Sequence, residues 1–170
     1  MADGSNDILQ IKTVTLRYSR AEDRICMAAV HDDNPPLALW LTTRMCRHIV
    51  KALVSQLEKG ENTAPVDKSL AMTCRQHAAE WQQQSQQQSN PVILSGTEQS
   101  VCLQQVTIHS SKNAVALQFP LNGKKSACLT LNQPELRLWL GILYRQCILA
   151  EWPLDSWPEW FKNENASRIN

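Results

Sequence analysis

No stretch of this 170-residue chain approaches the ~20 continuous apolar residues that a membrane-spanning helix needs. The opening, Met1 through Asp7, is polar and acidic, whereas a secretory leader starts basic and continues apolar. These two absences lead us to expect a cytoplasmic protein. An excess of one charge is also missing: 17 basic side chains stand against 16 acidic ones, for a net charge of +1. Proteins that live on nucleic acid ordinarily carry a clear basic surplus, because phosphate contacts supply much of their affinity. The balance therefore weighs against a strongly electrostatic partner. Disorder is excluded by the same composition, since 43% of the residues are hydrophobic and only 19% charged.

Short cysteine spacings are absent. Cys26, Cys46, Cys74, Cys102, Cys128 and Cys147 are separated by 20, 28, 28, 26 and 19 residues, which supports neither a zinc site nor a C-x-x-C redox pair. Each lies in or beside an apolar run, so the expectation is small buried hydrophobes in a reducing compartment. A reactive thiol needs a cationic neighbour and access, and none is marked out. There is no phosphate-binding glycine loop, no dinucleotide fingerprint, no nucleophile elbow and no H-E-x-x-H. His31-Asp32-Asp33 sits in a turn beside Pro35-Pro36, and His77 and His109 stand alone. We therefore expect no catalytic residue, no metal and no cofactor, and the chain reads as a non-enzyme rather than an enzyme.

What is present is periodicity. Leu9, Ile11, Val14, Leu16 and Tyr18 read as a strand over 8–18. Residues 25–30 are apolar on both faces, hence a covered strand, and Leu37, Leu39 and Leu41 alternate as a third. Thr42 or Thr43 can cap a helix whose buried stripe is Cys46, Ile49, Val50, Leu53 and Leu57, with Gly60 as its stop. Asp67 can cap a second helix, with Leu70, Cys74, Ala78 and Trp81 on one face and a glutamine run, Gln82 to Gln88, at its end. Val92-Ile93-Leu94 reads as a short strand. The pattern then restarts: a strand over 102–109, a second through Val115, Leu117 and Phe119, a turn at Asn122-Gly123, and a third over 127–131. Asn132, Pro134 and Glu135 mark a helix start, followed by the stripe Leu136, Trp139, Leu140, Leu143 and Cys147.

The two passes align at an offset of 90 residues without a gap from Leu16 to Leu57. Leu16 and Tyr18 then match Val106 and Ile108, and Arg47 and Gln56 meet the identical Arg137 and Gln146. The expected fold is α+β: two strand-strand-strand-helix repeats packed as a pseudo-symmetric pair, with an extra middle helix. Residues 1–62 form the first repeat, and 63–98 a linker with the glutamine-rich helix. Residues 99–161 form the second repeat with a Trp-rich C-terminal segment, and 162–170 a flexible tail. All belong to one compact domain, because a three-stranded sheet with one helix buries too little surface to stand alone.

In layout, duplicated units of this kind resemble the purine-rich-element-binding repeats and the Whirly proteins, and that resemblance implies single-stranded nucleic-acid binding on the sheet. Two sets of side chains are candidates for contact. Arg44, Arg47, His48 and Lys51 share one helix face and could meet phosphates or an acidic partner, although acids balance bases across residues 1–62. Trp152, Trp157 and Trp160 either plug a groove in the chain itself or present an aromatic contact surface, tryptophan being enriched at interface hot spots. The leading expectation is a non-enzymatic interaction or assembly protein, a homodimer or the holder of a protein partner. The alternative is a weak single-stranded nucleic-acid binder.

Overall fold

The computed structural model describes residues 7–32, 35–61, 65–85 and 90–165. Asp33, residues 62–64 of the linker, residues 86–88 of the glutamine run and residues 166–170 of the tail lie outside them. The chain is mixed α+β, with seven strands and four helices among the described residues. In order these are β1 (Asp7–Ser19), β2 (Arg24–His31), β3 (Leu37–Leu41), α1 (Thr43–Lys59), α2 (Pro65–Ser85), β4 (Gln99–Cys102), β5 (Thr107–Ser110), β6 (Ala114–Pro120), β7 (Lys125–Asn132), α3 (Gln133–Leu149) and α4 (Glu159–Asn165).

The strands form a single sheet in the order β4-β3-β2-β1-β7-β6-β5. A flat sheet of this kind would hold its edges about 29 Å apart, at ~4.8 Å per strand spacing. Yet the edge strands β4 and β5 are separated only by residues 103–106, a link that reaches at most ~18 Å. The sheet therefore curls. Neighbours are antiparallel except at two seams, β1 with β7 and β3 with β4, which are parallel.

Alternation places one apolar row inside the curl. Ile25, Met27 and Ala29 of β2 face Leu41, Leu39 and Leu37 of β3, and Val115, Leu117 and Phe119 of β6 face Leu131, Leu129 and Ala127 of β7. All twelve are buried and join the stripes of α1 and α3 in one continuous core. Helices α1 and α3 start where the caps predict. Thr42 Oγ1 accepts from Met45 N at 3.2 Å, and Asn132 and Glu135 exchange bonds of 3.0 and 2.9 Å in a capping box.

Several expectations are corrected. The strand expected over 102–109 is two strands, with 103–106 irregular between them, because β4 pairs with β3 and β5 with β6. Val92-Ile93-Leu94 is not a strand; Val92 N donates to Thr15 Oγ1 at 2.9 Å, which lays the segment beside β1. Helix α2 begins at Pro65, so Asp67 sits in its first turn rather than capping it. Helix α4 was not anticipated and runs to Asn165, past the boundary expected at 161.

Which way α2 turns was left open by the sequence. It packs on α3 and α4, with Met72, Gln76, Ala79 and Glu80 buried beneath it. The stripe read from sequence points the other way: Leu70 is 64% and Trp81 73% exposed, and Cys74 and Ala78 are exposed between them. The inward polar pair is accommodated because Gly141 of α3 leaves room for it; an added Cβ there would stand 3.2 Å from Glu80 Oε1 and 3.5 Å from Gln76 Nε2. Gln76 Nε2 also donates to Arg137 O at 2.9 Å and Glu80 Oε1 at 3.2 Å.

Candidate interaction surface

The outward face of α2 carries two of the five large hydrophobic side chains left exposed among the described residues, Leu70 and Trp81. Leu70, Cys74, Ala78 and Trp81 recur at four- and three-residue steps, which stacks them along one side of three helical turns. The ionisable side chains that share the exposed side between Leu70 and Gln82 are Arg75 and His77. Arg75 is committed to Glu61, with Nε 3.0 Å from Oε2. The face is therefore apolar at its centre and nearly charge-free.

Beside this stripe, where α2 passes the start of α3, lies a cleft of about 810 Å³. Leu57, Ala78, Trp81 and Pro134 supply apolar walls, and Arg75, Lys112 and Arg137 supply positive charge. Arg137 is only 5% exposed. Its guanidinium reaches Met72 O at 3.5 Å and Met72 Sδ at 3.6 Å, and lies 6.0 Å from the centre of the Trp160 ring. Among the described residues no carboxylate is within ion-pair distance of it. Desolvation, then the charge of Arg75, pulls its pKa down to about 10, against a smaller upward pull from Glu61. The sequence singled out Arg137 only as the match of Arg47. Nothing in a one-dimensional pattern said that one would be buried and the other exposed.

The predicted basic face does form: Arg44, Arg47, His48 and Lys51 are all exposed on α1. Arg47, however, is held by Asp155 at 2.5 Å and by Ser156 at 3.4 Å, which ties α1 to the C-terminal segment. Arg44 and His48 border a smaller hollow with residues 103–106. Trp152, Trp157 and Trp160 are 8%, 4% and 5% exposed. Their indole N–H groups are used internally where bonds are recorded: Trp152 to Asp23 Oδ1 and Trp160 to Glu58 Oε1, each 3.1 Å. The three rings thus plug the chain's own core, and no exposed aromatic surface forms from them.

His31 and Asp32 do not converge. His31 is buried, and Asp32 bonds Lys12 at 2.9 Å, which lowers its pKa. Among the described residues, no His, Cys, Asp and Glu cluster could hold a metal ion, and no helix is long and apolar enough to cross a membrane.

Burial pushes Cys26 up to about 11 and Cys147 up to about 12, and raises Cys46 as well. Raised thiol values remove the thiolate a nucleophile needs. Cys74, by contrast, is exposed. In dilute native protein at mildly alkaline pH, a thiol reagent should modify Cys74 first and reach Cys26, Cys46 and Cys147 only after denaturation. Since the folded pKa values are raised, their stabilising share is full below the free-thiol value of 9.0 and fades as pH climbs through about 12. Rapid labelling of Cys46 in the folded chain would contradict the packing. The chain matches no protein-family model, no curated protein and no solved structure.

Proposed function

We propose that this chain is a non-enzymatic assembly protein that self-associates through the outward face of α2, with a second copy as the occupant. One observation carries the reading: α2 turns Leu70, Cys74, Ala78 and Trp81 to solvent while it buries Gln76 and Glu80. Removing an exposed leucine and tryptophan from water is favourable by about 25 cal/mol per Å² of apolar area. A large exposed apolar patch on a folded domain marks a contact site.

A second copy suits the pattern. Run antiparallel about a two-fold axis, α2 would set each Leu70 against the other copy's Trp81 and bring the small Cys74 and Ala78 together at the crossing. Arg75 is neutralised within its own chain, so like charges do not oppose the approach. A single helix face is smaller than the ~800 Å² per partner of a standard interface, so the expected dissociation constant is about 10 μM. Sedimentation velocity up to several hundred micromolar tests this. A concentration-dependent dimer that Leu70→Glu with Trp81→Glu abolishes, at unchanged circular dichroism, is the expected result. A strict monomer throughout that range would overturn it.

The scaffold we infer is a pseudo-symmetric pair of βββα units that close on each other. Strand register supports this. Ile25 pairs with Leu41 and, 90 residues on, Val115 pairs with Leu131. At the parallel seams Leu9 meets Ala127 and Gln99 meets Leu37, a relation that swaps the two halves at the same offset. The match is not gapless: Leu16 faces Met27 whereas Ile108 faces Leu117, so Ile108, rather than Val106, answers Leu16. Residues 103–106 absorb the two-residue difference. In this scheme α2 belongs to neither unit, so the closure of the sheet leaves its outer face unspent.

A further inference from the structure

We propose that the cleft between α2 and the start of α3 is a binding site for a small organic anion, a carboxylate or phosphate monoester carried on an apolar body, with Arg137 as its principal anion-binding residue. The case begins with the cost of Arg137. A guanidinium withdrawn from water without a carboxylate is expensive, and buried cations are ordinarily paired. Five N–H donors here find one main-chain oxygen, at the outer limit of a hydrogen bond, and one thioether sulfur, a weak acceptor. Glu61, the acid that acts on Arg137 through space, is clasped by Arg75.

The walls of the cleft fit the rest of such a ligand. Lys112, from the β5–β6 turn, adds a further cation to the lining. Leu57, Ala78 and Pro134 offer apolar surface, and Trp81 a broad ring. The cleft is open to solvent, and its volume, about 810 Å³, is large enough for a small molecule. The helix end is not the source of the positive field. The capping box already satisfies the first turn of α3 with the helix's own Glu135, so the charge on offer is that of the side chains. A planar guanidinium takes a carboxylate or a phosphate by two parallel bonds, and both heads remain open.

Ala78 and Trp81 belong both to the cleft and to the self-association face, whereas Leu70 does not line the cleft, so Leu70→Glu separates the two. The probes are benzoate, phenyl phosphate, the uncharged benzamide, and inorganic phosphate, titrated by calorimetry and by tryptophan fluorescence into the full chain and into Leu70→Glu. Benzoate or phenyl phosphate should bind both proteins, whichever is tighter naming the head group, and benzamide and inorganic phosphate should each bind at least about tenfold more weakly. Arg137→Gln should lose about tenfold or more, and Arg137→Lys should recover part of it. If Arg137→Gln fails to fold, the exposed Lys112→Ala and Trp81→Ala variants decide, each with a loss of about threefold or more. Equal affinity for benzamide and benzoate, no binding of either anion at millimolar concentration, or affinity untouched by all of these variants would overturn the proposal.

Discussion

Replacing Phe161 with alanine should cost ~3–5 kcal/mol of folding stability, the usual toll for emptying an aromatic from a closed core. Phe161 is fully buried. Its ring centre lies 4.8 Å from that of Trp157, 5.3 Å from Tyr144 and 5.4 Å from Trp160. Trp157 in turn stands edge-on to Tyr144 at 4.9 Å. Helix α4 is only 7 residues long, too short to hold itself together in water, so the rings fold the segment rather than the reverse. The variant should therefore lose more than a cavity's worth of contact. The tryptophan emission should shift to the red as Trp157 and Trp160 become wet, and trypsin should cut at Lys162 well before the sheet unfolds. Urea titration checks the magnitude. A loss under about 1 kcal/mol would mean that the C-terminal segment rests on the fold without supporting it.

Gly141→Leu should be nearly as damaging, for the opposite reason. Where an added Cβ already stands 3.2 Å from Glu80 Oε1, a whole leucine must push α2 away from α3. Overpacking of this kind costs ~1–3 kcal/mol. The bond from Gln76 Nε2 to Arg137 O would go with it, which leaves buried polar atoms without partners at a further ~1–3 kcal/mol. Gly141→Ala should be close to neutral, since about 1 kcal/mol of helix propensity offsets the tight contact with the flexible end of Glu80. Hydrogen exchange should show α2 opening in the leucine variant while β2 and β6 stay protected. A leucine variant as stable as the parent, with α2 still protected, would show that this interface is not closely packed.

Much of the framework was legible because its signals are local. β1, β2 and β3 announce themselves by alternation, and the covered β2 by being apolar on both faces. The starts of α1 and α3 were legible because a cap is a bond between residues three apart. The break between β4 and β5 was not, because it is imposed by two different neighbours, β3 on one side and β6 on the other. The direction of α2 was not legible either. A stripe of Leu70, Cys74, Ala78 and Trp81 tells which side is apolar, but not whether this chain supplies the cover. Nor could the pattern say that Trp152, Trp157 and Trp160 are consumed internally while Trp81, on the apolar face of α2, is left outside.

By itself the sequence settled the α+β class, the N-terminal caps of α1 and α3, the absence of a membrane-length apolar run and the pairs of alternating strands that line the core. These follow from periods of two and of 3.6 residues, which any short window carries. Only the tertiary structure decided that the sheet curls through two parallel seams, that α2 turns its apolar side to solvent, and that Arg137 is buried with no carboxylate of the described residues within ion-pair distance. Each of those depends on what residues far apart in the chain present to one another. A free energy of contact belongs to the pair, and no local window contains both members.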